Sequence, residues 1–264
     1  MEQTVTKAVT SLANATVKAV RAPCACAARE ETNLFLAEGL KVITEGVELG
    51  RAPKTLLFGP SADHPLLTKA IEATRASGEV IEVTRDILEK VSRRDNPQAV
   101  VAVFEQAFTP LEELQPDAAA CWVALQAVRD PGNLGTIIRT ADAAGCGGVI
   151  LVGDCCDPYS VEAVRATMGS IFAVPLAKAS IAEFIEWRRR WPGSVVGTLL
   201  TATTDHRAAE YREPTLILMG NEQQGLPPEL AAVCDVNVKI PMRGRADSLN
   251  LSVATGIMIY AVTA

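Results

Sequence analysis

The chain has 264 residues, 25 Lys and Arg against 31 Asp and Glu, a formal net charge of -6 and 48% apolar residues. This length holds one large domain or two modest ones with ample buried core, and the apolar fraction excludes disorder over the whole length. The pI near 5.1 counts against a basic nucleic-acid-binding domain, although the first 29 residues carry Lys7, Lys18, Arg21 and Arg29 against Glu2. A small basic arm (1–29) thus leads an acidic body.

Beyond the arm, Leu36, Leu40, Ile43 and Val47 recur at three- and four-residue spacing, which predicts a helix over 30–50 ending at Gly50. A strand KTLLFG follows, then a helix over 65–76, a strand VIEV at 80–83, a short helix over 84–92 and a strand at 98–105. Alternating strands and helices predict an α/β domain with a mainly parallel sheet. TPLEELQPDAAA (109–120) reads as a linker. A second α/β domain opens with a strand at 121–128 and a helix at 134–145. It continues with a strand at 149–153, a helix at 159–166, a strand at 172–177 and a helix at 180–190. Strands at 194–200, 214–220 and 235–241 precede a closing helix at 248–262.

The seven cysteines, at 24, 26, 121, 146, 155, 156 and 234, lack the C-x-x-C spacing of a zinc site, and His64 and His206 are isolated. No metal is expected, and the cysteines read as reduced, mostly buried residues of a cytoplasmic protein. No run of about 18 apolar residues predicts a membrane span. No compact apolar core follows a basic start, so no signal peptide is expected. A nucleotide-binding Rossmann turn is not expected either. Gly145, Gly147 and Gly148 follow a helix and precede a strand, the reverse of the required order.

Three segments of the second half combine glycines, amides and charges at strand ends. In RDPGNLGTIIRTADAAG (129–145), Pro131-Gly132 makes a turn, Asn133 is suited to cap the helix, and Arg139 falls in its first two turns among apolar neighbours. There a buried arginine would need partners. In LILMGNEQQGLPPEL (216–230), an apolar strand runs into Gly-Asn-Glu. Gly220 permits close backbone approach, and Glu222 sits where ligands bind in open α/β sheets. In IPMRGRADSLNLSVATGIMIY (240–260), Ser248 can cap the last helix, with Leu249 and Asn250 in its first turn.

Together these segments resemble the three motifs of the SpoU class of the SPOUT superfamily, TrmH-like RNA ribose 2′-O-methyltransferases. The matches are Asn133 to Ala141, Leu218 to Leu226 and Ile240 to Ala254, in the family's order. Residues 11–43 and 96–105 resemble the auxiliary substrate-binding domain that precedes many such catalytic domains. The stretch AVRAPCACAA, where relatives are richly basic, departs from the pattern.

The resemblance implies a C-terminal parallel-sheet domain (121–264) tied in a deep trefoil knot, preceded by a small α/β substrate-binding domain (30–108), and a homodimer that completes the site. It implies S-adenosylmethionine as cofactor and RNA as partner, with 23S-type ribosomal RNA ahead of transfer RNA; an inactive RNA-binding member is the further alternative. Arg139 would act at the 2′-hydroxyl, as base or as electrostatic stabiliser, oriented by Asn133, Glu222, Ser248 and Asn250. Thr201, Gly220, Ile240, Met242 and Leu249 would hold the cofactor. Lys7, Lys18 and Arg21 of the arm, and Arg129, Arg243 and Arg245 near the site, would contact phosphates. Arg188, Arg189 and Arg190 either join them or merely end a solvated helix.

Overall fold

In the computed structural model, which describes residues 7–60, 64–92 and 98–263, the apolar runs of the chain assemble into two separate sheets. Two units carry them: residues 1–106 with 159–173, and residues 107–158 with 174–264.

The first unit runs β1 (Lys7–Val9), α1 (Ala15–Arg21), α2 (Cys26–Thr32), β2 (Leu34–Glu38), α3 (Leu40–Glu48), β3 (Thr55–Phe58), α4 (Pro65–Arg75), β4 (Glu79–Val83), α5 (Arg85–Ser92) and β5 (Val100–Glu105). Its sheet has the order β1-β4-β3-β5-β2. β1, β4 and β3 are parallel, whereas β5 runs antiparallel to both β3 and β2. The sheet is therefore mixed, where alternation of elements predicted a mainly parallel one.

The difference comes from 30–50, which is not one helix. Asn33 closes α2 in the left-handed conformation at φ 55°, and Gly39 at φ 90° starts α3. Between them LFLAE forms β2. A short apolar run fits a buried strand as well as a helix, and here the flanking left-handed residues decide.

Residues 7–29, read from sequence as an arm, belong to this unit. β1 pairs with β4, α1 buries Val17 and Val20, and Arg29 is buried with Nη1 donating to the Pro23 carbonyl at 2.8 Å. Two valines three residues apart supply the apolar stripe that anchors α1. Residues 96 and 97 of the 96–105 segment lie outside the described residues.

The second unit runs β6 (Cys121–Gln126), α6 (Pro131–Ala143) and β7 (Val149–Val152). The chain then gives α7 (Val161–Thr167) to the first unit. It returns for β8 (Leu176–Ala179), α8 (Ile181–Arg188), β9 (Val195–Thr198), β10 (Thr204–Asp205), β11 (Thr215–Met219), α9 (Pro228–Ala231), β12 (Val236–Lys239) and α10 (Leu251–Val262). The seven strands are all parallel in the order β10-β12-β9-β11-β6-β7-β8. The inner strands β6, β7, β9 and β11 are near-continuous apolar runs, as strands buried on both faces require, whereas β10 and β12 at one edge are polar.

Three sequence readings shift here. The strand expected at 172–177 lies at 176–179, because Ser170–Phe172 makes a 3₁₀ turn in the first unit. β10 had no sequence signal. The expected linker is packed rather than loose: Leu111 and Leu114 are buried in the core of this unit. The Trp187 and Trp122 indoles donate to the Leu111 and Pro116 carbonyls at 2.9 and 3.0 Å.

Inside the first unit, α7 is fastened by charge. The Arg165 guanidinium forks onto Glu38, Nε to Oε2 at 3.0 Å and Nη2 to Oε1 at 2.9 Å, and Nη2 also donates to the Ser92 carbonyl at 3.0 Å. The Glu38 side chain is 2% exposed. Around it Phe35 packs on Tyr159 and Phe172, and Phe104 on Phe172, with ring centroids 4.7 to 5.7 Å apart. Removing one partner of a buried pair leaves an unpaired charge in low dielectric. Arg165→Ala is expected to cost about 3 kcal/mol of stability, read as a lower midpoint in urea unfolding of the full chain.

Candidate active site

The carboxyl ends of β6, β9 and β11 converge, as ligand sites do in open parallel sheets. β6 ends at Gln126, and the next residue, Ala127, takes the left-handed conformation at φ 47°. This turns the chain toward Arg129 and Asp130. The Asp130 carboxylate accepts from the Asn133 backbone N–H at 2.6 Å and Pro131 opens the helix, so Asp130, not Asn133, caps α6.

The Asn133 side chain is thereby released for other contacts. Its Nδ2 donates to Glu222 Oε1 at 3.4 Å, and its Oδ1 accepts from Asn250 Nδ2 at 2.9 Å. Asn250 is the N-cap of α10, with Oδ1 accepting from the Ser252 and Val253 amides at 2.9 and 3.3 Å and from the Ser252 hydroxyl at 2.6 Å. Ser248, expected in that role, is exposed instead, its hydroxyl donating to Asp247 at 3.3 Å. Glu222 also accepts from the Arg129 and Asp130 amides at 3.3 and 3.4 Å. One carboxylate and two amides thus tie together the starts of α6 and α10 and the end of β11.

Beside this cluster lies a cavity of about 500 Å³, within the range of small-molecule sites. Thr201, Gly220, Ile240, Met242 and Leu249 all line it, together with Glu222 and Ser248. At Gly220 a Cβ would stand 2.1 Å from the Leu226 amide nitrogen, so no other residue fits this turn. The walls suit a nucleoside carrying a polar tail. Leu199, Leu226 and Leu251 are apolar, and Thr198 Oγ1 is buried with no hydrogen-bond partner among the described residues. A ligand entering here would meet an acceptor or donor that the protein leaves open.

Arg139 does not join the cluster. It is exposed on α6 and makes no hydrogen bond or ion pair with the described residues. Six residues of helix turn it about 120° away from Asn133 and raise it about 9 Å along the axis. The expectation of a buried Arg139 held by Glu222 is therefore corrected: the apolar neighbours Ile137 and Ile138 face the core, and Arg139 faces out.

The other basic residues are spread. Arg129 is exposed and bonded to Asp154 at 2.7 Å, which raises its pKa further. Arg243 and Arg245 are exposed in the loop before α10, and Lys18 and Arg21 are exposed on α1 of the first unit. Lys7 lies in β1, with its side chain outside the described residues. Arg188 pairs with Asp235 and Arg189 with Glu186.

The thiols near the site are quiet. Burial first, then Cys155, Glu222 and Asp130, push the Cys156 thiol up to about 12. The cysteines were expected to be mostly buried; Cys121 and Cys146 are, Cys24, Cys155, Cys156 and Cys234 are half-buried and Cys26 is exposed. Among the described residues no three His, Cys, Asp or Glu side chains form a metal site, and no helix is long and apolar enough to cross a membrane. Asp130 and Thr198 were not singled out from sequence. Asp-Pro-Gly-Asn was a usable signal for the first, an acid just before a proline-started helix; Thr198 had none.

The chain is similar to known proteins over both of its parts. The SpoU rRNA Methylase family matches residues 120–260, and the MRM3-like substrate binding domain matches 14–102. The 23S rRNA (uridine(2479)-2′-O)-methyltransferase of Streptomyces viridochromogenes is 31% identical over 240 residues, covering 88% of this chain and 83% of its own. The 23S rRNA (guanosine(2553)-2′-O)-methyltransferase RlmP of Bacillus subtilis is 30% identical, over 88% and 89%. The crystal structure of an AdoMet-bound rRNA methyltransferase from Sinorhizobium meliloti superposes with a TM-score of 0.91 at 49% identity, over 97% of both chains. The chain belongs to the SpoU rRNA methylase family, on a fold of a substrate-binding domain followed by a parallel-sheet SpoU domain.

If Glu222 fastens the turn after β6, Glu222→Ala is expected to speed hydrogen exchange at the Arg129 and Asp130 amides at least tenfold, about 1.4 kcal/mol of local opening. Unchanged exchange there would remove Glu222 from that role.

Proposed function

We propose that this protein transfers a methyl group from S-adenosylmethionine to a ribose 2′-hydroxyl of 23S-type ribosomal RNA. The observation that carries the reading is the Asn133–Glu222–Asn250 cluster beside the cavity lined by Thr201, Gly220, Ile240, Met242 and Leu249, in a chain whose named relatives act on 23S rRNA. The cofactor supplies an activated methyl group on a sulfonium. Backbone groups of the loops after β9, β11 and β12 would hold it, beside the apolar walls of Leu199, Leu226 and Leu251.

The 2′-hydroxyl must be aligned with the methyl and must lose its proton during attack. As a planar fork of N–H donors, the Arg139 guanidinium stabilises the developing alkoxide and holds the neighbouring phosphate, while the proton of the hydroxyl leaves to solvent water. Glu222, Asn133 and Asn250 set the turn that receives the ribose. Ser248 borders the same cavity. Arg129, Arg243 and Arg245 of the second unit, and Lys18, Arg21 and Lys7 of the first, supply phosphate contacts. Residues 121–264 form the catalytic domain, and the N-terminal domain binds the RNA.

The active species is a homodimer in the cytoplasm. α10 has no charged residue and leaves Val253 and Tyr260 more than half exposed, on the same face as the partly exposed Ile257. An apolar face of this kind fits a second copy. Arg139, which bonds to none of the cluster in its own chain, acts across that interface. The C-terminal segment is threaded as a trefoil knot. In support, the late strand β11 is inserted between β6 and β9, and such a return through the middle of a sheet departs from simple winding.

Arg139→Ala is expected to abolish transfer of tritiated methyl to ribosomal RNA while calorimetry still detects cofactor binding. Full turnover would refute the assignment. Mixing Arg139→Ala with Glu222→Ala subunits is expected to restore part of the activity, which no arrangement within one chain allows. Tyr260→Glu is expected to yield monomers in light scattering and to lose activity with them.

A further inference from the structure

The turn that closes the cavity and the turn that carries the Arg129 and Asp130 amides share one side chain, which none of the roles above uses. Asn221, half-buried, follows Gly220 at the end of β11. Its Oδ1 accepts from the Gln223 and Gln224 amides at 2.9 and 3.2 Å, and its carbonyl accepts from the Gly225 amide at 2.9 Å. These bonds fold 221–225 into a closed turn whose residues wall the cavity. The Nδ2 of Asn221 faces the other way. It donates to the Ala127 carbonyl at 2.7 Å and reaches Glu222 Oε2 at 3.5 Å, while the Asn221 amide donates to Gln126 Oε1 at 3.4 Å.

Ala127 is the position that matters there. It is a non-glycine residue in the left-handed region, 8% exposed, and such a conformation persists only when its surroundings hold it. Its amide is taken by the Val152 carbonyl at 3.0 Å and its carbonyl by Asn221. Directly after it come the amides of Arg129 and Asp130 that bind Glu222, and then Asn133. A side chain with one acceptor and one donor end is the group this junction needs.

We infer that Asn221 is a positioning residue: its Oδ1 shapes the cofactor wall and its Nδ2 sets the left-handed turn at Ala127, so that cofactor and ribose-aligning groups are held in one register. The inference rests on the methyl-transfer reading given above. It separates into two halves by substitution. Asn221→Asp keeps an acceptor for the Gln223 and Gln224 amides, loses the donor to Ala127, and sets a second carboxylate against Glu222. Asn221→Ala loses both ends.

The test uses the full-length protein with S-adenosylmethionine and ribosomal RNA from cells lacking the gene. Cofactor Kd is measured by calorimetry, kcat by tritium transfer, and backbone opening by hydrogen exchange. For Asn221→Asp the expected result is an unchanged cofactor Kd, a kcat lower by about 100-fold, the scale of an ångström-size misplacement, and faster exchange at Ala127 to Asp130 only. For Asn221→Ala the Kd weakens as well, with faster exchange at Gln223 and Gln224. A side chain serving stability alone would lower Tm and move both constants together in both variants, which overturns the inference. So does wild-type kcat and exchange in Asn221→Asp. If the unaltered protein transfers no methyl group, the functional reading fails, and the exchange pattern still decides whether Asn221 holds the turn.

Discussion

The site depends on the direction of a single amide. Asn250 caps α10, and the two backbone N–H groups at that helix start force its oxygen toward them. Its nitrogen must then point away, to Asn133, whose oxygen accepts and whose nitrogen in turn faces Glu222. No hydrogen position needs to be assumed for this order, because an amide has one acceptor end and one donor end. Glu222, receiving the chain, is free to take the Arg129 and Asp130 amides. Helix capping, the most local of interactions, thereby fixes the polarity of groups more than a hundred residues apart in sequence.

How much of this was legible in the sequence differs by level. The buried strands of the parallel sheet and the helices between them were legible as apolar runs alternating with helical spacing, whereas the two-residue polar strand β10 left no such pattern. The failures cluster where a short apolar run is compatible with two geometries. Leu36 belongs to a strand because Asn33 and Gly39 sit in left-handed conformations on either side, and single-residue φ values leave no periodic trace. The packed stretch around Leu111 and Leu114 reads as a linker because two prolines and three acids interrupt it, yet two leucines suffice to dock it.

Site residues were found through the motif resemblance, and their local roles came out differently. Capping moved from Asn133 to Asp130 and from Ser248 to Asn250, because either of two polar residues near a helix start can cap it and only the backbone path selects. Arg139 was read as buried from its apolar neighbours. On a helix, adjacent residues point 100° apart, so isoleucines before it say little about where the arginine faces. The net charge of -6 was likewise a poor guide to an RNA partner, since phosphate contacts depend on where a few cations stand.

The first unit is not contiguous in the gene. Residues 159–173 complete it, through Arg165 on Glu38 and through Tyr159 and Phe172 on Phe35. A coding sequence cut after residue 106 would encode a protein with a buried carboxylate lacking its cation and an aromatic cluster lacking two of its rings. A swap of residues 1–106 alone between related sequences would therefore have to match residues 159–173 as well.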